Sequence, residues 1–296
     1  MGNTPYPNFT FEGFKVLEEQ EEYDGWNPCE YFEWIKRAAE QGYAEAQFEF
    51  ALCYDDEDTI EESVEWYRKA AEHGHIEAQY NLGVCYDNGD GVRKNCKKAV
   101  EWYSKAAEQG YSKAQYNLAL CYDEGRGAGK DLGKAVELYI KAANQGEVSA
   151  FNNIGYCYEK GRGFKKDFVA AAVWYTKGAI RGDATAQFSL ALCYHFGKGV
   201  RKDLAMAVEW YSKAAYQGHT WAQNNLGNCY EKGLGVAKDI TKALYWFAEA
   251  AQHGDKRAKK RLDVLTHKHL EDVKLLNEPE AEELNTLFSS DETVPF

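Results

Sequence analysis

The sequence predicts an all-α protein, an αα-solenoid built from tandem helix-turn-helix repeats. The string Trp-Tyr-x-Lys-Ala-Ala-x-x-Gly recurs seven times in strong or weaker form, and its closing glycines lie 36 residues apart except for a first spacing of 32. A second phrase, such as AQYNLALCYDEGRGA from Ala114, stands between successive copies. Self-similarity at a period of roughly 20–50 residues indicates units that each pack only against their neighbours.

The second phrase predicts the first helix of each repeat. Ala114, Leu118 and Tyr122 recur at a spacing of four residues, so they share one helix face. Ala119 lies beside them at a position where other copies have glycine, and a small residue there lets a neighbouring helix approach closely. A loop that contains several glycines follows and predicts the turn into the second helix.

The Trp-Tyr string predicts the second helix. Ala99, Trp102, Tyr103 and Ala106 form its apolar stripe, and Gly110 follows the last turn, where a left-handed cap favours glycine. Neither helix can bury its apolar face alone. Stacking the repeats therefore produces one continuous core.

These patterns predict three segments. Residues 1–28 form an N-terminal capping segment, residues 29–268 form the solenoid with six full repeats at about 43–254 and a capping helix at each end, and residues 269–296 form an acidic tail. Within the tail Leu284, Leu287 and Phe288 have helical spacing, so this segment is either a short docking helix or a partly disordered tail.

The repeat unit reads A-x3-L-G/A-x2-Y-x2-G-x-G-V followed by K-A-V-E-W-Y-x-K-A-A-x2-G, and it resembles the Sel-1-like repeat, a relative of the tetratricopeptide repeat. The resemblance covers roughly three quarters of the chain. It implies a right-handed αα-superhelical solenoid that serves as an adaptor or assembly scaffold. Two departures stand out. The first repeat, with DDEDTIEES from Asp55, lacks the glycine loop, and the paired cysteines of secreted family members are absent.

Six of the eight cysteines share one repeat position: Cys53, Cys85, Cys121, Cys157, Cys193 and Cys229. Equivalent positions on stacked helices lie about 8–10 Å or more apart, whereas a disulfide needs Cα atoms within about 7 Å. We therefore predict a column of buried, unpaired thiols. Free thiols favour a reducing compartment, and Met1 to Gln20 lacks the pattern of a secretory signal. The sequence thus predicts a cytoplasmic protein.

Charge and motifs exclude several function classes. A net charge of −12 argues against nucleic acid and anionic membranes, and no apolar run approaches the roughly 20 residues of a membrane span. GRGAGKD at Gly125 is not a phosphate-binding loop, because Glu124 and Asp131 occupy the places of its glycine and hydroxyl residue. No C-x-x-C or H-E-x-x-H occurs. We predict no enzyme activity, no metal and no cofactor. A β-lactam-related activity, linked to some relatives, has no S-x-x-K to support it.

The first helices expose a second face, opposite the core, that should line the concave side of the superhelix. Asparagine can pair with a peptide backbone, aromatic and aliphatic residues supply anchor pockets, and an acidic column favours basic residues in the partner. The predicted groove consists of Tyr80, Asn81, Val84, Asp87, Tyr116, Asn117, Leu120, Asp123, Asn152, Asn153, Tyr156, Glu159, Phe188, Leu192, Asn224 and Asn225.

The sequence therefore predicts a scaffold or adaptor that binds a protein or peptide with apolar anchors and nearby basic residues. Three alternatives stay open. The asparagines could instead satisfy loops between repeats, the basic run KRAKKR from Lys256 could be the docking patch, and a secreted or host-directed effector could use the same fold. The oligomeric state does not follow from the sequence.

Overall fold

The computed structural model describes residues 28–54 and 59–274, and within these ranges the chain is helical with no strand. The fourteen helices of the described residues are α1 Pro28–Glu40, α2 Ala44–Leu52, α3 Ile60–Glu72, α4 Ile76–Asn88, α5 Cys96–Glu108, α6 Ser112–Glu124, α7 Leu132–Asn144, α8 Val148–Lys160, α9 Phe168–Ile180, α10 Ala184–Phe196, α11 Leu204–Tyr216, α12 Thr220–Lys232, α13 Ile240–Gln252 and α14 Lys256–Lys274. The prediction of an all-α repeat fold is confirmed.

The fold divides into a first unit, residues 1–150, and a second unit, residues 151–296. In the first unit each helix from α1 to α7 packs against the next, and in the second unit each helix from α9 to α14 does the same. This order of contacts is the one that tandem helical hairpins produce, because every repeat touches only its neighbours in the chain.

From α5 onward each second helix begins at a side-chain cap, whereas Thr59 before α3 makes no such hydrogen bond. Asn95 accepts the backbone N–H groups of Lys97 and Lys98, and Asp131, Asp167, Asp203 and Asp239 cap α7, α9, α11 and α13 in the same way. Such caps satisfy donors that have no partner within the helix. In the glycine loop before the cap, Gly127 has a φ of 71° and passes so close to the carbonyl of Cys96 that a Cβ would collide with it.

A row of buried tyrosines fills the interior of the repeats. Tyr103, Tyr139, Tyr175 and Tyr211 are almost fully inaccessible to solvent, and Phe247 takes the equivalent place in the last repeat. A column of buried glutamines runs beside them. Gln115 Nε2 donates to the carbonyl of Ala107 at 3.3 Å, and Gln115 Oε1 accepts from Gln145 at 2.8 Å. These amides join successive helices through paired polar groups, which buried side chains require.

The prediction of a buried cysteine column is confirmed at five positions and wrong at the first. Cys85, Cys121, Cys157, Cys193 and Cys229 are buried and form no disulfide. Cys53 is free but exposed. The physical reason is the length of α2, which has nine residues where α4 has thirteen, so Cys53 follows the last helical turn instead of facing the core.

Several predictions fall on residues that the structure does not describe. They concern the N-terminal capping segment up to residue 27, the acidic stretch at residues 55–58 of the first repeat, and the tail residues Leu284, Leu287 and Phe288. The C-terminal capping helix is α14, which runs to Lys274.

Candidate binding face

The sixteen residues of the predicted groove lie on first helices in both units. The first-unit face, on α4 and α6, consists of Tyr80, Asn81, Val84, Asp87, Tyr116, Asn117, Leu120 and Asp123. The second-unit face, on α8, α10 and α12, consists of Asn152, Asn153, Tyr156, Glu159, Phe188, Leu192, Asn224 and Asn225. None of these side chains is buried: Tyr156 is exposed and the others are half-buried. Each face is therefore accessible to a ligand.

The aromatic residues of the two faces pack against the buried tyrosines of the second helices. The ring centroids of Tyr80 and Tyr103 are 6.0 Å apart, and those of Tyr116 and Tyr139 are 5.8 Å apart. In the second unit Phe188 lies 6.0 Å from Tyr211. Each ring is thus supported by the core and stays half-buried.

Some asparagines of the faces are partly used inside the protein. Asn117 hydrogen-bonds the hydroxyl groups of Tyr80 and Tyr103, and this opposes the rise that burial causes in the pKa of each phenol. Asn225 makes the equivalent bond to Tyr211. An asparagine amide offers two donors and two acceptor lone pairs, so one such bond leaves capacity for a ligand.

Two acidic members of the faces, Asp87 and Glu159, are paired with basic residues of this chain. Asp87 accepts two hydrogen bonds from Arg126 Nη1 at 2.6 and 2.8 Å. Glu159 lies 3.0 Å from Lys160 Nζ and accepts from the hydroxyl of Tyr175 at 2.9 Å. Although burial opposes the shift, these hydrogen bonds hold the pKa of Glu159 below its usual range. The sequence predicts that the negative charges of Asp87 and Glu159 face a basic partner. In the structure these charges are largely paired with residues of the protein itself.

Trp221, which sequence reasoning did not select, is a strongly exposed large side chain beside the second-unit face. It is 59% exposed and lies on α12 with its ring 6.1 Å from Phe188 and 6.2 Å from His219. It occupies the repeat position that Lys113 holds in α6. The residue type at this position changes from repeat to repeat, so the repeat pattern did not point to it. Only the position of Trp221 on the exposed side of its helix could have identified it from the sequence.

A cleft of about 350 Å³ adjoins Trp221 at the beginning of α14. Its lining includes His253, Lys256 and Arg257, so the first residues of the basic run border the same region as the exposed tryptophan. The basic run therefore lies next to the second-unit face at this cleft.

Within the described part of the chain, no group of three or more histidine, cysteine or carboxylate residues is placed to hold a metal ion. The loop at Gly125 forms the turn between α6 and α7, and its Asp131 caps α7 by accepting from Lys134 N at 3.0 Å. None of the described helices has the length and apolarity that a membrane crossing requires.

Comparison with known proteins identifies the repeat. A family model described as Sel1 repeat matches residues 32–43, 44–75, 76–111, 112–147, 149–183, 184–219 and 222–255. A protective antigen of uropathogenic Escherichia coli strains, which displays an SLR fold, is 35% identical with a TM-score of 0.75 over 81% of this chain and 52% of that chain. A Sel1 repeat protein from Oxalobacter formigenes is 34% identical with a TM-score of 0.71 over 81% of this chain and 71% of that chain. The chain thus spans about half the length of the Escherichia coli protein. No curated protein matched.

Proposed function

The chain belongs to the Sel1 repeat family, and from this premise we propose that it is a scaffold or adaptor that holds a protein or peptide on its first-helix faces. Proteins of this family generally serve as protein-interaction scaffolds. We infer that this chain likewise works by binding rather than by catalysis.

The observation that carries the proposal is the exposure of two aromatic side chains on the second unit. Tyr156 is 40% exposed and Trp221 is 59% exposed, and Phe188 packs against Trp221. Exposed tryptophan and tyrosine beside a supported apolar ring are typical of residues that dominate binding energy. Asn224 and Asn225 share α12 with Trp221 and can pair with the backbone of a bound segment.

The first-unit face supplies a second set of contacts of the same kind. We propose that Tyr80, Tyr116 and Leu120 receive apolar anchors of the partner, and that Asn81 and Asn117 hold its backbone. In the second unit Leu192 and Asn153 would have the same two roles. The carboxylates of Asp123, Asp87 and Glu159 would face basic residues of the partner.

Basic residues of the partner would contribute mainly to the rate of association. A lysine or arginine must compete with Arg126 for Asp87 and with Lys160 for Glu159. Charges at the edge of an interface steer encounter more than they strengthen the complex. We therefore propose that apolar anchors, and not charge, determine the affinity of the partner.

The cysteines support a proposal for the compartment. Five buried cysteines form no disulfide, and thiols persist most readily in reducing surroundings. We propose a cytoplasmic location on this ground. The Escherichia coli relative is a protective antigen, so a host-directed role in this chain is the alternative that localisation in cells would reveal.

The test uses peptides selected from a random display library against the full chain. Trp221→Ala and Tyr156→Ala should each weaken the selected peptides at least about tenfold, which corresponds to about 1.4 kcal/mol. Tyr216→Ala is the matched control, because Tyr216 is an exposed aromatic residue on α11, a second helix. Equal affinity of the wild type, Trp221→Ala and Tyr156→Ala would refute the proposal.

A further inference from the structure

The outward face of α9 carries an apolar stripe that nothing in the described structure covers. Val169, Val173 and Ile180 are 61%, 49% and 71% exposed, and their spacing places them along one side of the helix. Isolated exposed apolar residues are ordinary, but several on one helix face indicate a contact surface.

The other repeats show how far this stripe is unusual. In α11 and α13 the equivalent positions hold one large apolar residue each, Tyr216 and Tyr245. The equivalent positions in α3, α5 and α7 are all exposed and all lack large apolar side chains. They hold Glu61, Glu65, Glu72, Lys97, Glu101, Glu108, Gly133, Glu137 and Asn144. The fold therefore does not require apolar residues at these positions, and α9 has them for another reason.

Basic side chains accompany the stripe. Lys177 lies on α9 with its Nζ 4.1 Å from the ring centroid of Trp174, and Arg181 Nη1 donates to the carbonyl of Lys177 at 2.9 Å. Both are exposed, and the helix from Phe168 to Ile180 contains no carboxylate. In a chain with a net charge of −12, this face is apolar and positive, so its complement is an apolar segment rich in carboxylates.

The chain contains such a segment. Residues 275–296 carry six carboxylates and no lysine or arginine. Leu284, Leu287 and Phe288 recur among them at helical spacing. The segment follows α14, in the same unit as α9, and its twenty-two residues can extend about 70 Å. Three stacked helical repeats span about 30 Å. The extended segment is therefore long enough to reach from the end of α14 back to α9.

We propose that the acidic segment 275–296 docks on the α9 stripe of its own chain. Its leucine and phenylalanine side chains would cover Val173 and Ile180, and its carboxylates would lie beside Lys177 and Arg181. This surface lies on a second helix, so the proposal neither requires nor excludes partner binding by the first-helix faces.

Two rival occupants are less well matched. A second copy that paired through the same stripe would bring Lys177 and Arg181 of both chains together, and like charges oppose that contact. Residues 1–27 carry apolar and acidic residues too, but they include Lys15 and belong to the first unit. Of the two terminal segments, residues 275–296 combine apolar residues with negative charge alone.

The direct test is a photo-crosslinking residue, benzoylphenylalanine, in place of Ile180 in the full chain. We expect crosslinks to peptides from residues 275–296, formed within a monomer and with a yield that does not change on dilution. Crosslinks to residues 1–27, crosslinks between two copies, or the absence of any crosslink would overturn the proposal.

A second test uses a protease that cleaves after glutamate and follows the release of the tail by mass spectrometry. Val173→Glu combined with Ile180→Asn gives α9 the residues that α7 holds as Glu137 and Asn144, so the variant should fold. We expect the tail of this variant to be cut at least about tenfold faster than that of the wild type. Glu137→Gln, on the first unit, is the control and should leave the rate unchanged. Equal rates in the wild type and the double variant would contradict docking.

Discussion

Arg126 Nη1 donates to both carboxylate oxygens of Asp87, at 2.6 and 2.8 Å, and thereby ties the glycine loop of one repeat to the first helix of the repeat before it. In the second unit Arg261 Nε donates to Glu231, which occupies the position of Asp87, at 2.9 Å. The sequence analysis placed Asp87 in a ligand-binding groove. The structure shows that Asp87 and Glu231 each hold neighbouring elements together.

The first prediction concerns this pair. Asp87 is only 15% exposed, so Asp87→Asn should remove more than the 0–1 kcal/mol of a typical surface ion pair, and we expect a loss of about 1–2 kcal/mol. Urea unfolding measures it. Glu124→Gln removes the other carboxylate near Arg126, which is 52% exposed, and should change stability by less than about 0.5 kcal/mol. Equal effects of the two substitutions would show that Asp87 has no special structural role.

The second prediction compares two helical glycines. A Cβ at Gly83 would lie 2.6 Å from ring atoms of Tyr103, so Gly83→Ala should destabilise the protein by about 1–3 kcal/mol through overpacking. A Cβ at Gly133 would meet only Asp131 Oδ1 at 3.5 Å, so Gly133→Ala should be neutral or stabilise by up to about 1 kcal/mol. Thermal unfolding of both variants should therefore give shifts of different sign. A stabilised Gly83→Ala would mean that the two helices are not in the contact described.

The third prediction concerns thiol reactivity. Burial raises the pKa of Cys121, Cys193 and Cys229 to about 11, so little thiolate exists at neutral pH. Cys53 is exposed and should react with a maleimide first, well before the buried members. Mass spectrometry of the labelled peptides gives the order. Labelling of Cys121 as fast as Cys53 in native protein would contradict the packing of α6.

The fourth prediction is a pH dependence at His219. Its Nδ1 accepts from Ala222 N at 3.2 Å, and its ring stacks on Phe188 with centroids 4.6 Å apart. Burial lowers the pKa of His219 more than the nearby Asp183 raises it. The folded state thus favours the neutral ring. The stabilisation is complete above the unfolded-state histidine pKa of about 6.5 and is lost as the pH falls from that value through the lower pKa of the folded state.

His219→Asn retains a capping side chain but does not titrate. Between about pH 7.5 and pH 5.5 the wild type should lose about 0.5–1 kcal/mol more stability than this variant does, because only the wild type must protonate its cap. Urea midpoints at the two pH values measure the difference. A larger loss in His219→Asn would reverse the sign and contradict the assigned cap.

Periodicity predicted the helices and the cysteine column well because both depend on local repeat geometry. Ala114, Leu118 and Cys121 are buried as their spacing requires. Cys53 was predicted wrongly, since the early end of α2 is set by residues outside the repeat pattern. The fold thus follows from signals that recur in every repeat.

The candidate site was predictable only in part. The helix angle identifies the exposed positions, but the pairing of Asp87 with Arg126 joins residues 39 apart in the chain, and their approach depends on how repeats stack. Trp221 was missed because its position holds Glu77, Lys113, Ser149 and Thr185 in other repeats. A repeat pattern averages away the residues that distinguish one repeat from another, so side chains such as Trp221 escape it.

The central claim is that the first-helix faces bind the partner. Its most direct measurement is hydrogen exchange of the full chain with and without a saturating peptide selected from a display library. We predict that the peptide slows exchange in α10 and α12, around Phe188, Trp221 and Asn225, and leaves the outward side of α9 and α11 unchanged. Protection confined to α9 and α11, or protection in α12 that persists with equal affinity in Trp221→Ala, would contradict the account.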